Sequence, residues 1–278
     1  MIKIYSTKAI GSYHKILGTP FQDACAFVKT EEGYVILAVA DGVGSCARAD
    51  IASKSVVETI IRYCKEKLRQ GMSEEEILEV IRWAFLHSDY YVTKKAEENG
   101  EDVNQYQTTL CVGIIYEDSL YFGQAGDSGI VALLQDGHYV PVTEQQRDEF
   151  DYVFPLSFGE DYWKFGKLER PVSAVMLMTD GIWENMVPPL LQGRKPEINV
   201  PLAELVMNHF DDSEEELDRL EEEMQAYWAE CPEEYTTDDK TTVVYFDTDK
   251  KPVRLEDNYY ETPDWETIVK ESMSNTDQ

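Results

Sequence analysis

The sequence predicts an α+β protein in which helices cover stacked sheets of mixed composition. Three observations carry that expectation. Short apolar runs of strand length are bounded by turn residues, and two long stretches show apolar residues at helical spacing. The order is strands, two long helices, strands, two helices and a final strand, which suits sheets with helices packed outside them.

Each element follows from a local pattern. Residues 33–40 (GYVILAVA) are a continuous apolar run ending at Asp41-Gly42, as expected of a strand buried on both faces and entering a tight loop. From Ala47 to about Gln70, Ile51, Val56, Ile60, Ile61 and Tyr63 recur at helical spacing until Gly71 ends the pattern. Ser73 with Glu76 three residues on forms a capping box for a second helix, which Asn99-Gly100 closes. The period then changes. Residues 108–116, 119–125 and 128–135 read as successive strands separated by Glu117-Asp118 and Gly126-Asp127. Residues 144–170 have no clean period and are expected to form a surface flap. A strand at 172–179, helices at 201–210 and 213–230, and a last strand at 241–246 complete the body. Residues 1–250 are thus expected as one domain, and 251–278 as an acidic, polar C-terminal extension. Within it, Thr262-Pro263-Asp264 starts a short helix and the chain frays from Ser272.

Composition narrows the function. There are 54 Asp and Glu against 25 Lys and Arg, a formal charge of −29. Such a field repels nucleic acid and anionic membranes, so neither is expected as a partner. It also repels an anionic substrate unless bound cations reverse the sign locally. Five cysteines without a C-x-x-C pair read as reduced thiols rather than a disulfide framework or zinc site. The first residues lack the apolar stretch of a signal peptide, and no segment is long enough to span a membrane. The expectation is a cytoplasmic protein.

The chemistry lies at the strand ends. An apolar strand runs out and an aspartate beside a small residue follows at Asp41-Gly42, at Asp127-Ser128 and at Asp180-Gly181. Asp238-Asp239 lead directly into the last strand, and Asp23 opens an earlier apolar segment. Gathered at one sheet edge, these carboxylates would need a cation, because they cannot all stay ionised side by side. Mg²⁺ and Mn²⁺ suit sparse carboxylate ligation. Any one Asp-Gly is also an ordinary turn dipeptide, so the pattern alone leaves surface turns and a shared cation site both open.

Six segments, in order, resemble the protein phosphatase 2C family of metal-dependent serine/threonine phosphatases. They are FQDACAFV (21–28), ILAVADGVGS (36–45), TTLCVGII (108–115), AGDSG (125–129), VMLMTDGIWEN (175–185) and TDDKTTVVYF (237–246). The ADGVGS form is most similar to a bacterial subgroup. The resemblance implies a four-layer α-β-β-α sandwich with a binuclear Mn²⁺ or Mg²⁺ centre and room for a third ion. By position Asp41 would bridge both ions, the Gly42 carbonyl would bind one, and Asp180 would bind the other. Asp238 or Asp239 would supply the last ligand, with Asp238 the better match to the family's Asp-Asn-x-Thr pattern. Asp23 would act through water. Asp127 and Glu184 fall where the family holds the third ion, sharing Asp180. Asp41 and Asp180 are therefore the expected catalytic residues.

Departures from the family are local. Val43 stands where eukaryotic members have a histidine proposed as proton donor, Ser45 replaces a glycine, and Gln22 replaces an acidic residue. The family's phosphate-binding arginine has no obvious counterpart. His14 and Lys15 are the nearest cations upstream of Gln22-Asp23, and they are equally readable as plain loop residues. The implied activity is hydrolysis of phosphoserine or phosphothreonine in a protein substrate by a metal-activated water, with a serine/threonine kinase as cognate partner. The alternative is a catalytically silent phosphatase-like binding module, suggested by Val43 and by the missing phosphate-binding cation.

Overall fold

The computed structural model describes residues 1–276. The chain begins with strand β1 (Ile2–Ala9), a short helix α1 (Ser12–Leu17), and strands β2 (Ala24–Lys29) and β3 (Val35–Ala40). Two long helices follow, α2 (Ala49–Lys67) and α3 (Glu74–Asn99). Next come β4 (Leu110–Tyr116), β5 (Ser119–Ala125), β6 (Gly129–Leu134), β7 (Tyr139–Pro141), β8 (Lys164–Leu168) and β9 (Val172–Met178). Helices α4 (Asp180–Met186), α5 (Val200–Met207) and α6 (Glu214–Ala229) precede β10 (Lys240–Asp247), and α7 (Trp265–Thr276) ends the described chain.

The strands form two five-stranded sheets, ordered β1-β10-β9-β6-β7 and β2-β3-β4-β5-β8. Every pairing is antiparallel. The sheets stack face to face, and helices cover both outer faces. β3 shows why its sequence is a continuous apolar run. Ile36, Ala38 and Ala40 pack under α2 and α3, while Val35, Leu37 and Val39 meet Ile130, Val175, Leu177 and Val243 of the other sheet. A strand buried on both faces has no polar side to alternate with. On the far side Val131, Met176, Val244 and Phe246 pack beneath α4, α5 and α6 through Ile182, Val206 and Trp228. The architecture is the expected four-layer α-β-β-α sandwich. Among the described residues no helix is long and apolar enough to cross a membrane.

The capping signals act as expected. Ser73 and Glu76 exchange side-chain and backbone hydrogen bonds at the start of α3, and Ser213 and Glu216 repeat the arrangement at α6. Four strands have no counterpart in the periodicity analysis, β2 among them, where the sequence shows only an apolar segment after Asp23. β1 is amphipathic over half its length and is held by its full register against β10. β7 is only three residues long. β8 lies inside the expected flap and pairs with β5 from Leu120↔Leu168 to Gln124↔Lys164. Its sequence, KFGKL, is half polar because an edge strand buries little of itself. The rest of 144–163 is loop with an isolated Arg147↔Val153 bridge and two 3-10 turns, Leu156–Phe158 and Glu160–Tyr162.

Beyond residue 250 the chain packs back on the body. The Val253 amide donates to the Gln135 carbonyl at 2.9 Å, and Tyr259 and Tyr260 join the outer core beneath α5. The fraying expected from Ser272 is not seen as far as Thr276, where α7 still continues, and residues 277–278 lie outside those described.

One glycine fixes how closely α4 meets its sheet. A Cβ on Gly129 would stand 2.1 Å from the Trp183 ring, which is buried against the start of β6. Gly129→Ala should therefore lower stability by roughly 1–3 kcal/mol through overpacking. Urea denaturation of the metal-free protein reads this directly, and an unchanged midpoint would refute the packing.

Candidate metal centre

The strand-end aspartates converge where the two sheets open at one edge. Asp41 follows β3, Asp127 lies in the β5–β6 turn, and Asp180 begins α4 after β9. One carboxylate oxygen from each lies within 4.8 Å of the other two. Asp23, just before β2, is buried, with its carboxyl beside that of Asp41. Asp238 adds its charge from the loop before β10, acting on both Asp127 and Asp180.

Backbone and hydroxyl contacts set these side chains. The Asp41 amide donates to Thr109 Oγ1 at 2.9 Å, while its carbonyl accepts from Thr108 Oγ1 at 2.7 Å and from the Thr109 amide at 2.8 Å. Thr108 and Thr109, just before β4, thus hold the Asp41 main chain. Gly42 is buried beside them in an isolated bridge to Thr108. Thr179 Oγ1 donates to Asp23 Oδ2 at 2.8 Å and accepts from the Thr241 amide at 3.1 Å, which ties Asp23 to the ends of β9 and β10. Gly181 permits a close approach here: a Cβ there would stand 2.1 Å from the Asp239 carbonyl oxygen.

Asp238 and Asp239 separate cleanly. Asp239 is buried and its oxygens are already engaged: Oδ1 accepts from the Gly11 amide at 2.8 Å. Its Oδ2 accepts from the Gln22 amide at 2.8 Å and from His14 Nδ1 at 2.9 Å. Asp238 is half-buried, and its Oδ1 takes the Asp239 amide at 2.7 Å. His14, expected to face phosphate, is instead buried against Asp239 with its Nδ1 committed there; Lys15 beside it is exposed.

The residue that sequence reasoning missed is Arg147, from the flap. Its Nε lies 2.8 Å from Asp127 Oδ2, its Nη2 2.9 Å from Asp180 Oδ2, and its Nη1 3.0 Å from Asp151 Oδ1 and 3.7 Å from Glu184 Oε1. The three positions assigned by resemblance to a third ion therefore surround one guanidinium. Nothing in QQRDEFD flags it, because a lone arginine in an irregular acidic stretch reads as a solvated charge. Trp163 and Cys46 have structural roles. Trp163 is buried against Phe85 and donates to the Leu156 carbonyl at 3.0 Å. Cys46 is buried, with Sγ 3.3 Å from the Asn104 carbonyl.

The donor set fits a hard divalent cation. All the side chains are carboxylates, and Asp23 Oδ1 and Asp127 Oδ1 are buried with no hydrogen-bond partner. The electrostatics agree. Burial, then the Asp180 and Asp23 charges, raises the Asp41 carboxyl well above its ordinary range. Burial, then Asp127 and Asp238, does the same to Asp180. Burial raises Asp127 against the opposing pull of Arg147. Asp23 is pushed up to about 7, by burial above all and further by Asp239, against the lowering contact with the Asp41 carboxyl. Between about pH 4 and about 7 the unfolded chain has released this proton while the folded chain retains it, so metal-free stability falls as pH rises through that window. Asp23→Asn should thus raise the melting temperature of the metal-free protein more at about pH 8 than at about pH 5. Equal gains at both values would show that Asp23 is not the group responsible.

The comparisons with known proteins bear on the fold and the family. No curated protein sequence matches the chain. Similar solved structures include a bacterial serine phosphatase at 13% identity and TM-score 0.64, covering 92% of this chain and 100% of that one. Stp1, a serine/threonine phosphatase from Staphylococcus aureus, is 12% identical with TM-score 0.62, covering 89% and 95%. The catalytic domain of the serine/threonine protein phosphatase PstP, solved with two manganese ions, is 17% identical with TM-score 0.59, covering 88% and 97%. At such identities the likeness concerns the fold. The protein phosphatase 2C family model matches residues 10–228, and with that match over a sandwich of the same layers, the chain belongs to the protein phosphatase 2C family.

Proposed function

We propose that this chain is a metal-dependent protein phosphatase that hydrolyses phosphoserine or phosphothreonine. The observation that carries the reading is the meeting of Asp41, Asp127 and Asp180, from three distant segments, within 4.8 Å of one another. Asp41, the Gly42 carbonyl, Asp180 and Asp238 would hold a pair of Mn²⁺ or Mg²⁺ ions, with Asp23 acting through water. Asp239 serves as the buried clip that sets the loop rather than as a ligand, because its oxygens are engaged by Gly11, Gln22 and His14. Bound divalent cations would supply a water acidic enough to attack phosphorus and offset charge on the phosphoryl oxygens.

The protein's own residues do the rest. Thr108 and Thr109 fix the backbone that carries Asp41, and Thr179 orients Asp23. Val43 offers no proton to a leaving group, so in this reading the serine or threonine oxygen is protonated from water. Of the two cations before Gln22-Asp23, Lys15 is the exposed one and the better placed to meet phosphate. The substrate class is a phosphoprotein, the cognate partner a serine/threonine kinase, and the compartment the cytoplasm. The large acidic excess favours this over any role on nucleic acid.

A second reading, a catalytically silent binding module, is favoured by Val43 and by the guanidinium seated between Asp127 and Asp180. Hydrolysis of p-nitrophenyl phosphate separates the two. The wild type should turn over with Mn²⁺ and stop with EDTA. Asp41→Asn should lose more than the roughly 10–100-fold typical of an outer-shell partner, with its circular dichroism unchanged. A folded wild type with no metal-dependent turnover would favour the silent module, and an Asp41→Asn variant as active as wild type would remove Asp41 from the reading.

A further inference from the structure

Arg147 divides the acidic cluster into two halves of different character. On one side the Asp23 and Asp41 carboxyls lie side by side, and among the described residues neither has an ion pair with a basic side chain. On the other, Asp127, Asp180, Glu184 and Asp151 share a single guanidinium through three of its nitrogen positions. The planar fork of arginine suits this task, since Nε, Nη1 and Nη2 diverge toward different carboxylates, whereas a lysine offers one nitrogen. Only 19% of the Arg147 side chain is exposed, against 4% of Asp127, so the pair lies in a setting where an unpaired charge would be costly.

The guanidinium also has a mechanical role. Residues 147–153 form a small hairpin closed by the Arg147↔Val153 bridge and by the Asp148 carboxylate, which accepts from the Phe150 and Tyr152 amides at 2.9 Å. The base of that hairpin is anchored: Gln146 exchanges hydrogen bonds with Gly126, and the Phe154 amide donates to the Gln146 carbonyl. Among the described residues, the hydrogen bonds and ion pairs that join 147–153 to the sheet and to α4 run through Arg147. Phe150 and Tyr152 at its tip are 72% and 71% exposed.

We propose that Arg147 is a resident cation, a tethered guanidinium that permanently takes the place of a metal ion between Asp127, Asp180 and Glu184 and pins the 147–153 hairpin beside the metal pair. Tethering favours it over a free ion, because the side chain is held at high effective concentration beside its carboxylates. It rests on the phosphatase reading for the pair at Asp41, but its test counts ions rather than turnovers. Arg147 is a positioning residue here, acting on substrate only through the hairpin and the carboxylates.

The experiment is a calorimetric Mn²⁺ titration of wild type, Arg147→Ala and Arg147→Lys, with Arg82→Ala as a control that removes the same charge on α3. Each protein is also digested briefly with chymotrypsin, which cuts after Phe150 and Tyr152. The expected result is one more Mn²⁺ per chain in Arg147→Ala than in wild type, lost again in Arg147→Ala/Glu184→Gln. Chymotryptic cleavage at the hairpin should be several-fold faster in Arg147→Ala and unaffected by Mn²⁺ in wild type. Arg147→Lys should gain no ion yet loosen the hairpin, and Arg82→Ala should match wild type in both assays. An equal ion count in wild type and Arg147→Ala overturns the proposal. So does acceleration of wild-type cleavage by Mn²⁺, because that shows the arginine giving way to metal. Loss of p-nitrophenyl phosphate turnover in wild type would instead count against the phosphatase reading, and the ion count would still decide the role of Arg147.

Discussion

Mutual repulsion among buried carboxylates is the constraint around which the rest of this protein is arranged. Burial raises the carboxyls of Asp23, Asp41, Asp127 and Asp180, and the charge of at least one neighbouring aspartate raises each of them further. A protein interior accepts such a group only if protons, cations or hydrogen-bond donors offset it. The two-sheet stack is rigid because both faces of its central strands are packed, so the strand ends cannot spread to relieve the repulsion. Compensation must come from groups that enter the site.

Three kinds of compensation are present, each matched to a different aspartate. Asp239 is offset by donors, two backbone amides and one imidazole, and so becomes a structural joint between α1, the 20–23 loop and β10. Asp127 and Asp180 are offset by Arg147. Asp41 and Asp23 lie carboxyl to carboxyl, and Asp23 takes a hydrogen bond from Thr179, yet Asp23 Oδ1 is left without a partner, as suits a group that meets a metal's water shell. Neighbouring residues of the same type thereby take opposite parts: Asp238 and Asp239 differ in what their backbone positions place within reach.

Most of the scaffold was legible in the chain because its signals are local. The capping boxes at Ser73 and Ser213, the glycine ending α3 and the apolar runs of β3, β4 and β9 each depend on residues within a few positions of one another. Strands β1 and β8 were not legible, since each is stabilised by a partner far away in sequence and carries too many polar residues to show a clear period. Arg147 was invisible for the same reason. Its meaning lies in Asp127, Asp180 and Glu184, which are 20, 33 and 37 positions away in the sequence and adjacent only in space.

The amino-acid sequence by itself determined the long helices, the apolar central strands and which aspartates stand at their ends, because hydrophobic period and turn chemistry act over short range. Only the tertiary structure decided which carboxylates meet, that Asp239 is spent on Gly11, Gln22 and His14, and that a flap arginine sits among Asp127, Asp180 and Glu184. Those outcomes turn on distances of a few ångströms between residues remote in the chain, and such distances exist only after the two sheets have closed on each other.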